Sequence, residues 1–109
     1  MKPYRIEKIA ELIRNEISLI LQRKIFDPRI KLVSVQQVEL MKDMKLAKVH
    51  ISVFGDHENQ QEAFNALSNA KGYIKSELAH RVLLRFLPDI EFILEEIEPI
   101  ATEQELLEE

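Results

Sequence analysis

Lys71 and Lys75 stand four residues apart, as do Arg81 and Arg85, in a run from about Gln60 to Phe86 that reads as helical. Four residues is about one helical turn, so each pair projects from one side of its segment. Cations held this way neutralise phosphates, and counterion release supplies much of the affinity of proteins for nucleic acid. Two further groups join them: Lys2, Arg5 and Lys8 along the start of a first helix, and Arg29 and Lys31 just after its end. Gly72 lies beside Lys71, where a missing side chain lets a phosphate backbone approach closely. Taken singly, each of these cations reads equally well as an ordinary solvated charge. Lys48, His50 and Ser52 mark a second surface on the outer face of an expected strand, and there the plain water-facing reading is the stronger one.

Other chemistries find little support. There is no cysteine to act as nucleophile, thiolate ligand or disulfide partner. The three histidines, His50, His57 and His80, have no triad or ligand spacing, and Asp56-His57-Glu58 is a weak metal pattern. Neither a GxxxxGK[ST] nor a GxGxxG phosphate loop occurs. No catalytic residue, metal or cofactor is therefore expected. Tyr4, Tyr73, Phe54 and Phe86 are scattered, so a platform for stacking unpaired bases is not expected either.

A chain of 109 residues, 46% hydrophobic and 31% charged, is one globular domain. Its net charge of −4 is unevenly spread. Residues 1–90 hold 15 Lys and Arg against 11 Asp and Glu, whereas residues 91–109 hold 8 Glu and no base. The body is mildly basic and the end acidic, which gives a division into a domain over 1–97 and an acidic tail over 98–109. Solubility is the simplest use for such a tail. No apolar run approaches the roughly 20 residues that span a bilayer, and no leader pattern occurs at the start. A cytoplasmic protein without a membrane or small-molecule partner is expected.

These side chains need a scaffold. From Pro3 to about Lys24, Ile6, Ile9, Ala10, Ile13, Ile17, Ile20 and Leu21 recur at helical spacing, and Asp27-Pro28 ends the run. Val33 and Val35 then fall out of phase with Val38 and Leu40, which predicts a strand with a bulge at Gln36-Gln37. Met41 to Met44 makes a turn, and Ala47, Val49, Ile51 and Val53 alternate as the second strand of an antiparallel hairpin. After Gly55 a long helix carries Ala63, Leu67, Ala70, Ile74, Leu78, Val82 and Phe86 on its inner stripe. Gly72 interrupts it. A glycine costs about 1 kcal/mol against alanine inside a helix, so Ala70-Lys71-Gly72 predicts a kink between two helical segments. Ile90, Phe92 and Leu94 form a third strand. The expected product is an α+β domain: helix-strand-strand-helix-kink-helix-strand, with a three-stranded sheet covered on one face.

That order resembles the type II KH fold of nucleic-acid-binding domains, whose ordinary members clamp nucleotides with a GxxG loop. Here Ala70-Lys71-Gly72 stands in its place, and an AxG kink resembles the bacterial ribosome-binding factor A family. The likeness extends through Arg5-Ile6, Ile9-Ala10-Glu11, Glu16-Ile17, Asp27-Pro28-Arg29, Val33-Ser34-Val35, Asp43, Ala47-Lys48-Val49, Ser52-Val53 and Leu83-Leu84-Arg85-Phe86-Leu87-Pro88. It implies a ribosome assembly factor that is not an enzyme. Such a factor binds the small (30S) subunit through 16S ribosomal RNA, assists late maturation around its 5′ end, and supports growth in the cold. It would act as a monomer. The competing expectation is a protein-interaction or dimerisation module that uses an exposed sheet edge and no RNA.

Overall fold

The computed structural model describes residues 3–82, 84 and 87–95. Helix α1 spans Pro3–Arg23 and buries the expected stripe, with Ile13, Ile17 and Ile20 fully out of water and Ala10 and Leu21 nearly so. Asp27 then turns the chain: its carbonyl accepts from the Ile30 and Lys31 amides at 3.0 and 3.3 Å, opening a short 3-10 turn at Ile30–Leu32.

Strands β1 (Val33–Leu40) and β2 (Leu46–Val53) pair antiparallel, with a register shift between Val35 and Gln37. The extra residue reconciles the two phases of β1. Val35 is opposite Ile51 and Val38 opposite Val49, so both halves of the strand point at the core. The turn between the strands carries Met44 at φ 61°, in the left-handed region that a side chain rarely adopts. Two bonds hold it there: the Met44 amide donates to the Met41 carbonyl at 2.8 Å, and the Lys45 amide to Asp43 Oδ1 at 3.0 Å.

Gly55 follows β2 at φ 124°, and a Cβ on it would stand 2.6 Å from Asn59 Nδ2 and 2.9 Å from Asn59 Cβ. Only glycine fits this corner. Asp56 next caps α2 (His57–Arg81), its Oδ1 accepting from the Asn59 amide at 2.8 Å. Asp56 thereby has a structural task.

Helix α2 runs without interruption through Ala70-Lys71-Gly72, so the expected division into two segments is corrected to a single helix of 25 residues. The reason is energetic. Ala63, Ala66 and Leu67 are buried before the glycine and Ile74 and Leu78 after it, and the burial of each large side chain, about 1.5–3 kcal/mol, outweighs one helical glycine. The helix also stops earlier than expected: Val82 is extended (φ −119°, ψ 122°) and Arg81 is the last helical residue. Leu83, Arg85 and Phe86 lie outside the described residues, as do 96–109 with the expected acidic tail.

Strand β3 (Asp89–Leu94) lies parallel to β2, giving the sheet order β1-β2-β3. Val35, Val49, Ile51, Val53, Ile90 and Phe92 pack with the buried faces of both helices in one cluster. A smaller cluster of Ala10, Leu40 and Ala47 extends it toward the hairpin turn. The fold is thus two layers, with both helices on one face of the sheet.

Candidate nucleic-acid interface

Lys71 and Lys75 extend from one side of α2 toward the first residue of β3. Lys75 Nζ is 3.1 Å and Lys71 Nζ 3.6 Å from Asp89 Oδ1. Two cations therefore share one carboxylate. The Lys75 hydrogen bond, the Ile90 amide and the charge of Lys71 together hold the Asp89 carboxyl below the usual carboxylate range. Between the two lysines in sequence, Gly72 is exposed, and no atom outside its own helix backbone lies within 4 Å of where its Cβ would be. Among the described residues nothing beyond its chain neighbours and its own helix packs on Gly72, so the backbone there is open to an approaching ligand.

Arg81 has turned elsewhere. Its Nη1 is 3.4 Å from Glu16 Oε2 on α1, and its Nε is 3.9 Å from Glu77 Oε2. All three side chains are mostly buried, so Arg81 braces the two helices against each other. Lys2 and Arg85 lie outside the described residues.

On α1, Arg5 and Lys8 are exposed. At the other end of that helix, Arg29 grips Asp27 with two bonds, Nε to Oδ1 at 3.0 Å and Nη2 to Oδ2 at 2.7 Å. That side-chain bond is the main reason the Asp27 carboxyl sits below its ordinary range and the Arg29 guanidinium above its own. Lys31 reaches back to the Gln22 carbonyl and to that of Leu21 at 3.5 Å, where a cation complements the carbonyl end of the helix. Its ammonium also stands 5.6 Å from the Phe26 ring centroid.

The outer face of the hairpin is more occupied than its alternation suggests. Ser52 is 7% exposed and accepts from the Gln36 amide nitrogen at 2.7 Å. His50 Nδ1 is 2.5 Å from Glu95 Oε1. Lys48 lies between its register partners Glu39 and Glu91. This face is a mixed polar network, in contrast to the cationic side of α2.

Spacing located Lys71 and Lys75 but not the carboxylate they share, which lies 14 residues beyond Lys75. Phe26 was missed altogether. It directly follows Ile25 and precedes the Asp27-Pro28 stop, where an aromatic reads as core, yet it is 84% exposed.

Two layers in this order define a KH-like α+β domain with a pair of lysines on α2 beside its parallel strand. The model of the ribosome-binding factor A family matches residues 5–107, and the chain belongs to that family. It is 44% identical over 96 residues to the ribosome-binding factor A of Brevibacillus brevis, an alignment that covers 88% of this chain and 79% of the relative. A putative ribosome-binding factor A from Thermotoga maritima superposes with a TM-score of 0.74 at 27% identity, covering 94% of this chain and 99% of that one. The ribosome-binding factor A of Thermus thermophilus, as a homology model fitted into a cryo-EM map of its 30S complex, gives a TM-score of 0.68 at 31% identity, over 81% and 92% of the two chains.

Proposed function

We propose that this protein is a non-enzymatic assembly factor that binds the small ribosomal subunit through 16S ribosomal RNA. It assists late maturation of the 5′ region of that RNA and supports growth in the cold. Family membership supports the partner, as does the Thermus relative fitted with the 30S particle. The observation that carries the site is the pairing of Lys71 and Lys75 beside the open backbone of Gly72 on an uninterrupted helix. Arg5, Lys8, Arg29 and Lys31 extend the cationic surface, with Lys2 and Arg85 as its members outside the described residues. Arg81 contributes through the helix pair it braces. Residues 1–97 act as the binding domain and 98–109 as a solubilising tail. The protein works as a cytoplasmic monomer. Among the described residues no helix is long and apolar enough to cross a membrane.

The competing reading uses the edge of β1 that is unpaired among the described residues. There a groove of about 360 Å³ runs beside α1 between Glu7, Glu11 and Arg14 on the helix and Gln36, Val38 and Glu39 on the strand. A partner seated there would bind with little dependence on salt or RNA.

Co-sedimentation with purified small subunits across a salt series, with and without nuclease, separates the two. RNA binding predicts a steep fall in affinity with salt, about −0.7 in log–log slope per neutralised phosphate for single strands. The double substitution Lys71→Ala, Lys75→Ala is expected to weaken binding and flatten that slope by about 1.4. Unchanged affinity and slope would remove these lysines from the interface.

A further inference from the structure

Phe26 and Phe54 are the most exposed large apolar side chains among the described residues, at 84% and 82%. An aromatic ring left in water forgoes the favourable transfer that folding gives most of its kind, and two such rings on either side of one short turn call for a use. They flank the same turn. The Phe54 amide donates to the Leu32 carbonyl at 3.0 Å, and Lys31, the preceding residue, holds its ammonium 5.6 Å from the Phe26 ring centroid. Leu32 itself is 37% exposed.

The backbone beneath both rings is firmly held. Phe54 is fixed by its bond to Leu32 and by the Gly55 corner, where no side chain fits. Phe26 precedes Asp27, which Arg29 clamps from two sides, and Lys31 is anchored on the last carbonyls of α1. Charge distinguishes the possible occupants. Residues 23–31 hold Arg23, Lys24, Arg29 and Lys31 against Asp27 alone, while Asp56 and Glu58 follow Phe54, and Arg23, Lys24 and Arg29 are exposed. An apolar protein partner would have to dehydrate the Lys24 and Lys31 ammonium groups, a residue type depleted from protein interfaces. A single strand of nucleic acid matches both features, because each base offers a π-face to a ring and each phosphate a negative charge to Lys or Arg.

We propose that Phe26 and Phe54 form a stacking platform for unpaired bases of single-stranded RNA, with Arg23, Lys24 and Arg29 meeting the flanking phosphates. The platform rests on the RNA-binding reading above, shares Arg29 and Lys31 with that surface, and lies apart from the Lys71–Lys75 pair. Phe54 lies past the last residue of β2, whereas Asp89, which Lys71 and Lys75 share, is opposite Leu46 at its first. Those ends are roughly 24 Å apart along the strand. Lys31 lies against the Phe26 ring and adds a cation–π contact to it.

The chain has no tryptophan, so Phe54→Trp installs a single fluorescent reporter. The probe is an oligouridylate of about twelve nucleotides, long enough to reach both rings, with an RNA duplex of equal length as control. Oligouridylate is expected to quench the indole emission of the Phe54→Trp variant and the duplex to leave it unchanged. Phe26→Ala with Phe54→Ala is expected to lower oligouridylate affinity by roughly 5- to 150-fold per ring, with the salt slope and the urea midpoint unaltered. Full oligouridylate affinity in the double variant, or unquenched emission at saturation, would overturn the platform. So would weaker subunit binding with normal oligouridylate binding, which would mark a protein-docking patch. If the parent protein binds both oligouridylate and the subunit while ignoring the two rings, only the platform is lost. A parent that binds neither removes the RNA reading itself.

Discussion

Lys75 donates to Asp89 Oδ1 at 3.1 Å, joining α2 to the start of β3, and Lys71 approaches the same oxygen at 3.6 Å. One carboxylate thus offsets part of the charge that the proposed RNA contact requires. Asp89→Asn removes the anion and keeps a side chain of the same shape. The variant is expected to bind small subunits more tightly at low salt, with a log–log salt slope steeper by up to about 0.7 as one more phosphate is neutralised. The same salt series on parent and variant checks this; a variant with weaker binding would assign Asp89 a positioning role.

The same carboxylate sets a dependence on acid. Asp89 and Asp27 both lie below the ordinary carboxylate range, held down mainly by hydrogen bonds from Lys75 and Arg29. A carboxyl whose folded pKa is lowered contributes stability above its unfolded value of about 3.9, and loses it as pH falls through the folded value. Stability from these two pairs is therefore complete near neutrality and disappears in strong acid. Urea midpoints measured from about pH 7 down to pH 2 should fall less steeply in Asp27→Asn and in Asp89→Asn than in the parent. Equal steepness in all three would show that the pairs contribute nothing.

Arg81 separates a brace from a contact. Its guanidinium lies between Glu16 and Glu77, with all three side chains mostly buried. Arg81→Ala leaves two mostly buried carboxylates without their cation, which should cost about 1–3 kcal/mol, between the values for exposed and fully buried pairs. Urea unfolding reads that loss. Subunit affinity, measured well below the variant's melting temperature, should stay close to that of the parent. A large fall in affinity with an unchanged urea midpoint would instead place Arg81 against RNA.

Alternation and phase made most of the scaffold readable in advance. The slip between Val33/Val35 and Val38/Leu40 demanded a bulge, and the register shift falls where the slip occurs. The stripe from Ile6 to Leu21 likewise specified α1 to within a residue. What stayed hidden depended on distant partners. Glu16 meets Arg81 across 65 residues of chain and Asp89 meets Lys75 across 14, and no local spacing announces either pairing. Gly72 misled for a different reason. A propensity penalty of about 1 kcal/mol is visible locally, while the burial of Ile74 and Leu78 that outweighs it becomes apparent only when α2 docks on the sheet. Exposure of Phe26 and Phe54 is equally a tertiary fact, since aromatic residues flanking helices and strands usually face inward.

Gly72 allows stability and binding to be tested in one variant. Its backbone is helical without a positive φ, and among the described residues an added Cβ would meet no atom within 4 Å beyond its chain neighbours and its own helix backbone. Gly72→Ala therefore introduces no clash and lowers the backbone entropy of the unfolded chain, so the protein should gain about 0.5–1 kcal/mol. The urea midpoint would rise at constant m. If a phosphate backbone comes close to the helix between Lys71 and Lys75, the added methyl group occupies part of that space, and subunit affinity should fall in the same variant that is more stable. Opposite shifts in the two measurements would mark Gly72 as a point of ligand approach, because a purely architectural glycine would change stability alone.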